Sequence, residues 1–321
     1  MTDKENFYQL VRWGNPEWIP SRIPEYAVHY KGCHHDNFEG QGHHSPVGTV
    51  WKDIWGVEWH KDLEGVMGFP RGFPLTNLET LDSFEFPDPD DPKYFSLIFE
   101  MKKNYKEDLI LYASHRDTLW ERAYMLVGME NMMVYFRTEP DLVKRFFRRI
   151  TDFQIKMAQH YIEAGCELIG VGDDHGMQST LLLGKDIIYE FFMPEYQRLF
   201  DFYRNYNKNI IINFHSCGYI EPILDMFIEL GITILNPIQA TSNNLENVRK
   251  KTQGKITLCG GINSGILMDG NLDEIRALVK SRIEVLGKNG GYICCPDQGM
   301  PYKKESLDVM NEAILKYGRL M

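Results

Sequence analysis

The stretch NFHSCGYIEP, residues 213–222, sets His215 and Cys217 two positions apart behind the apolar run Ile210, Ile211 and Ile212. Imidazole nitrogen and thiolate sulfur are both good zinc donors, and a catalytic zinc keeps one position open. Residues i and i+2 of a strand point to the same side, so both side chains can face one ion. The same pair also fits a buried histidine beside a buried cysteine, because a free cysteine often serves as a small core hydrophobe. The choice depends on what else converges on the pair.

Other reactive residues follow other apolar runs. CELIGVG leads to Asp173, Asp174 and His175, which can act as acid, base or substrate orienters. The two carboxylates can equally cap a helix. ITILNPIQ brings Asn236 and Gln239, read as polar substrate contacts. KITLCGGIN carries Cys259, and GYICCPDQG carries Cys294 and Cys295, which point to opposite sides of a strand. Cys166 reads as a core residue. The pairs His34-His35 and His43-His44 match no compact zinc spacing and read as solvated loop histidines, with lining a pocket from above as the alternative.

These residues share a context. From about residue 109, apolar strand-like runs alternate with amphipathic helical ones. LILYASH is followed by a long helix with Thr138 as a plausible N-cap and Pro140 in its first turn. Pro194 should kink or split the next helix. Strands separated by crossover helices are parallel. The cadence predicts an α/β fold, a (β/α)8 TIM barrel, in which strand C-terminal ends meet at one mouth. The first hundred residues are irregular and rich in aromatics, Gly, Pro and His, and Trp51–Trp59 alternates like a hairpin. They predict a cap over the mouth, with Trp55 as an aromatic substrate contact. The whole chain, 1–321, reads as one barrel domain, with about 1–105 giving the cap region and first barrel elements.

Composition sets the outer bounds. With 43% hydrophobic and 25% charged residues, the chain is globular and not disordered. A net charge of −10 without a basic block argues against nucleic-acid binding. A protein partner or a homo-oligomer is compatible with that acidic surface. The opening MTDKENFYQL lacks the pattern of a signal peptide, and no apolar run reaches the roughly 18 residues of a membrane span. The expected location is cytoplasmic, where the six cysteines stay reduced.

HSCG after an apolar strand, then LNPIQ, LCGGIN and GGYICCPDQGMP, in that order, resemble the uroporphyrinogen decarboxylase superfamily. The resemblance extends to the opening NFYQLVRWGNPEWIPSRIP and implies a (β/α)8 barrel. The superfamily's decarboxylases carry an arginine-rich N-terminal motif, which WIPSRIPEYAVHYKG lacks. Its corrinoid-dependent methyltransferases carry a His-x-Cys pair and a distant cysteine that bind zinc. On that pattern the ligands are His215, Cys217 and, by spacing, Cys294, with Cys259 as the alternative third. Aligning the following glycine and proline sets Gln298 at the third position. The resemblance implies methyl transfer from a small methylated compound, such as a methoxylated aromatic, to the cobalt of a corrinoid (cobalamin) on a separate protein. The alternatives are transfer from the corrinoid to a thiol of coenzyme M type, a metal-free decarboxylase, and a non-catalytic corrinoid-binding partner.

Overall fold

The computed structural model describes residues 1–320. Ten strands are present: β1 (Glu25–Val28), β2 (Val50–Lys52), β3 (Glu58–His60), β4 (Phe69–Gly72), β5 (Ile110–His115), β6 (Leu168–Gly172), β7 (Ile211–His215), β8 (Ile234–Ile238), β9 (Thr257–Ile262) and β10 (Tyr292–Pro296). Strands β1 and β5 to β10 form one parallel sheet in that order, curled into a barrel with helices outside. The segment before β1 bridges the sheet's two ends. The Cys294 amide on β10 donates to Pro20 O at 2.9 Å, and the Ile110 amide on β5 donates to Pro24 O at 2.8 Å. Seven strands therefore carry the parallel sheet, with the residues leading into β1 reaching β10.

The helices are α1 (Asp3–Val11), α2 (Pro92–Lys102), α3 (Trp120–Val127), α4 (Met129–Thr138), α5 (Pro140–Ala164), α6 (Met193–Tyr206), α7 (Leu224–Glu229), α8 (Leu245–Thr252), α9 (Ser264–Asp269), α10 (Leu272–Arg282) and α11 (Lys304–Tyr317). Pro140 opens α5 as expected, but Thr138 ends α4, and Glu139 is the residue that precedes α5. A π-turn over Ile188–Phe192 leads into α6 just ahead of Pro194, which has no N–H to give in a helix interior. None of the described helices is long and apolar enough to cross a membrane.

The barrel has a closed end and an open end. Ile110, Leu168, Ile211, Ile234, Cys259 and Ile293, one from each of β5 to β10, pack with Phe7, Leu10 and Val11 of α1. This layer seals the end where the strands begin, so only the end where they finish is available to ligands. On the outside, α5 repeats Phe146, Phe147, Ile150, Phe153, Met157 and Tyr161 at helical spacing, all buried. Burial of each such side chain stabilises the fold by roughly 1.5–3 kcal/mol.

The cap spans the chain between β1 and β5. Its hairpin pairs Trp51 with Trp59, as the alternation predicts, in the antiparallel sheet β2-β3-β4. An ionic knot fastens it to the barrel. Arg122 of α3, only 1% exposed, lies 3.5 Å from Asp53 of the cap and 3.1 Å from Asp117, just past β5. His35 closes on Asp117 from the cap side and stacks on Trp59 with ring centroids 4.1 Å apart. His35 is 2% exposed, so the expectation of a solvated loop histidine fails there.

Candidate metal centre

His215 is the last residue of β7, paired in register with Gly172 of β6 on one side and Asn236 of β8 on the other. Its Nδ1 lies 2.9 Å from Asn236 Oδ1. An amide oxygen can only accept, so Nδ1 carries the hydrogen and the Nε2 lone pair faces the mouth. Cys217 Sγ lies 3.4 Å from that Nε2, and Asp174 Oδ1 lies 3.6 Å from it. All three donor atoms fall within 4.8 Å of one another. His215 and Asp174 are about half-exposed and Cys217 is partly buried, so the cluster stays open toward solvent.

Two loops hold these donors by their backbones. The Cys217 amide donates to Asp174 Oδ1 at 2.8 Å, the Gly176 amide to Cys217 O at 3.2 Å, and the Tyr219 amide to Met177 O at 2.7 Å. A Cβ on Gly176 would stand 2.4 Å from Tyr219 N, and one on Gly218 2.4 Å from Gly176 C. Gly218 also has φ +81°, which disfavours any side chain. Gln239 Oε1 accepts from the Gly218 amide at 2.9 Å, so Gln239 supports the loop from β8. Gln298 Nε2 donates to Cys217 Sγ at 3.2 Å, which puts Gln298 beside the cluster.

The structure separates the adjacent carboxylates. Asp173 is buried and accepts from the amides of Leu119 (2.8 Å) and Glu121 (3.0 Å) and from the Tyr196 hydroxyl (2.5 Å). It caps the start of α3, and burial pushes its carboxyl up to about 7. His175 turns into the outer core against Phe214 and Tyr196, where burial holds its imidazole down at about 4. Of the Asp173, Asp174 and His175 group, only Asp174 joins the donor cluster. Asp173→Asn is therefore expected to lower the melting temperature and leave metal content intact, whereas Asp174→Asn does the reverse. Thermal melts and metal analysis of the two variants check this.

The late cysteines fall elsewhere. Cys294 is fully buried on the helix-facing side of β10, where burial pushes its thiol up to about 12. It cannot meet His215 across the strand, and this corrects the ligand expected from spacing. Cys259 faces the barrel interior in the layer closed by α1. Asn236 stands between it and the histidine, donating from Nδ2 to Cys259 Sγ at 3.2 Å. Cys295 lies 3.3 Å from Cys259 and below the mouth. Trp55 is 3% exposed and packs on Phe86, Phe153 and Arg122, so it supports the cap and lines no open surface. Asn236 contacts the histidine, a partner role that a single strand's sequence does not reveal.

Sequence reasoning missed Glu121, half-buried at the start of α3. Burial, followed by the nearby charges of Asp117, Asp174 and Asp173, raises its carboxyl well above the ordinary range. Burial, followed by the nearby Asp174 carboxylate, pushes the Cys217 thiol up to about 12.

The donor set fits zinc. Bonds of about 2.0–2.3 Å in a tetrahedral site set ligand atoms about 3.3–3.8 Å apart. The spacings of 3.4 and 3.6 Å around His215 Nε2 fall in that range. The Asn236 contact supplies the outer partner that metal-binding histidines usually have. The molecule is thus a parallel α/β barrel with a mixed oxygen, nitrogen and sulfur cluster at its open end. The chain belongs to the uroporphyrinogen decarboxylase (URO-D) family, whose profile matches residues 74–316.

Among solved structures it is similar over 99% of both chains to a methyltransferase from Methanosarcina mazei, with 17% identity and a TM-score of 0.74. It also resembles a B12-independent methionine synthase from Shewanella sp. W3-18-1, over 67% of this chain and 62% of that one, with 13% identity and a TM-score of 0.43. No curated protein matches the sequence.

Proposed function

We propose that the chain is a zinc-dependent methyltransferase that moves a methyl group from a small methylated compound to the cobalt of a corrinoid carried by a separate protein. Asp174, His215 and Cys217 would hold the zinc. The observation that carries this reading is the convergence of three donors within 4.8 Å, two of them at tetrahedral spacing from an imidazole nitrogen whose ring partner is fixed by Asn236. Full-length likeness to a methyltransferase supports the reaction class.

Bound zinc supplies a Lewis acid, and a set with one thiolate suits an ether oxygen better than delivery of a second thiolate. The chain's residues do the rest. His215 and Cys217 fix the position at which the donor's oxygen departs, and displacement at carbon needs that alignment. The open mouth leaves room for a corrinoid carried by another protein. A decarboxylase acting on a substrate with four carboxylates would need several cations. Arg116 is the one lysine or arginine lining the cavity under the cap, and Arg122 is committed to Asp53 and Asp117.

The test is metal analysis of the purified chain followed by reaction of cob(I)alamin with methoxylated aromatics. One zinc per chain is expected, with methyl transfer lost on chelation and restored by zinc. Methyl transfer by metal-free protein would overturn the mechanism, and zinc-loaded protein inert toward all such donors would overturn the substrate reading.

A further inference from the structure

A cavity of about 850 Å³ lies between the cap and the mouth, lined by His29, His34, His43, His44, Asp36 and Arg116 among others. Arg116 follows β5 directly, and the next loop is tied to β6 by the Thr118 amide, 3.0 Å from Gly172 O. The cavity therefore opens over the β5 and β6 side of the mouth. Strands in a sheet stand about 4.8 Å apart, so the ends of β5 and β7 are separated by roughly 10 Å.

The charges in this cavity are unequal. Asp36 is already used: it pairs with Lys31 at 3.0 Å and accepts from the Gly32 amide at 2.9 Å and the His34 amide at 3.3 Å. Arg116 has only weak contacts, Met67 Sδ at 3.8 Å and Asp117 at 3.9 Å. Asp117 is itself engaged by His35 and Arg122. The histidines pack edge to face, His29 on His34 at 4.5 Å and His43 on His44 at 4.8 Å. Burial lowers the His29 and His43 imidazoles and brings His34 to about 4, so these rings are neutral at pH 7. The result is one available guanidinium in a cavity shared with the neutral rings of His29, His34 and His43.

We propose that this cavity binds an organic monocarboxylate, its carboxylate forked on Arg116 and its body against the imidazoles. Guanidinium matches carboxylate geometry in two parallel hydrogen bonds. One free cation selects one negative charge, and a cavity of this size accepts a ring-sized body. Resting on the proposed methyl transfer, this makes the methyl donor a methoxylated carboxylic acid, with acid and ether at opposite ends of one ring spanning β5 to β7.

Calorimetry on the full chain with benzoate, benzamide and inorganic phosphate tests the site without any methyl transfer, so it stands or falls apart from the reaction. Benzoate is expected to bind and benzamide to bind far more weakly. Arg116→Gln should weaken benzoate roughly 10–100-fold, and Arg116→Lys by less. Arg116 is 38% exposed, so its variants should fold, and a thermal melt verifies that. Absence of benzoate binding, equal binding by Arg116→Gln, or equal binding of benzamide would overturn the proposal. Phosphate binding more tightly than benzoate would overturn it in favour of an inorganic anion.

Discussion

Cys217→Ala is expected to lose metal and methyl transfer together. The side chain supplies the single sulfur of a three-donor cluster, 3.4 Å from His215 Nε2. Loss of an outer partner of a metal ligand typically costs 10–100-fold in affinity or activity. Loss of a ligand itself should exceed about 100-fold. Asn236→Ala, which removes only the support of His215 Nδ1, gives the intermediate value. Cys166→Ala and Cys294→Ala should keep full zinc, because both thiols lie in the outer core. The decisive measurement is zinc stoichiometry set beside the rate of cob(I)alamin methylation for each variant. Full zinc occupancy in Cys217→Ala would sink the assignment.

Arg122→Met should destabilise the fold by about 3–5 kcal/mol, the usual cost of breaking a buried ion pair from one side. It takes the guanidinium from Asp53 and from Asp117, two carboxylates almost inaccessible to water, and leaves Asp117 with His35. The melting temperature should fall on the order of 10 °C. Acid acts on the same knot. Burial alone would raise the Asp117 carboxyl, but His35 and then Arg122 outweigh it and hold that carboxyl well below the ordinary range. A depressed folded value means the stabilisation is present above the unfolded value of about 3.9 and is lost as pH falls through the folded one. In the wild type, unfolding free energy should thus decline below about pH 4. This part of the decline should be missing in Asp117→Asn, as acid titration monitored by circular dichroism would reveal.

Much of the barrel was legible because its strands are short apolar runs separated by helices, so period and order agree from Leu109 onward. The His215 and Cys217 pair was legible for a related reason: two residues on one strand end keep their relation whatever the tertiary structure. Choices of face were not. Asp173 and Asp174 are neighbours, as are Cys294 and Cys295, and a shift of one residue in register exchanges the side that faces the mouth. Register comes from pairing with other strands, and a single run does not contain it. The Asp53–Arg122–Asp117–His35 knot was hidden for a stronger reason. Its members lie up to 87 positions apart, from His35 to Arg122, and meet only after cap and barrel have docked. Trp55 misled because an aromatic in an irregular segment looks free, while its ring closes the underside of the cap.

The contact of Gly176 with Gly218 bears on how such a site can change over evolutionary time. The loops after β6 and β7 meet main chain to main chain at these two glycines, and the Asp174 carboxylate adds a further tie to the Cys217 amide. Apart from that tie, the donor side chains project from the joint without building it. Exchanging the carboxylate at 174 for another ligand would alter which ion is preferred and change one hydrogen bond to the Cys217 amide, while the glycine contact stays. An alanine at 176 or 218 would instead pry the frame apart with every donor still in the sequence. A relative of this chain could therefore have a different metal preference with both glycines in place, and one that has lost either glycine should have lost the centre, whatever donors it retains.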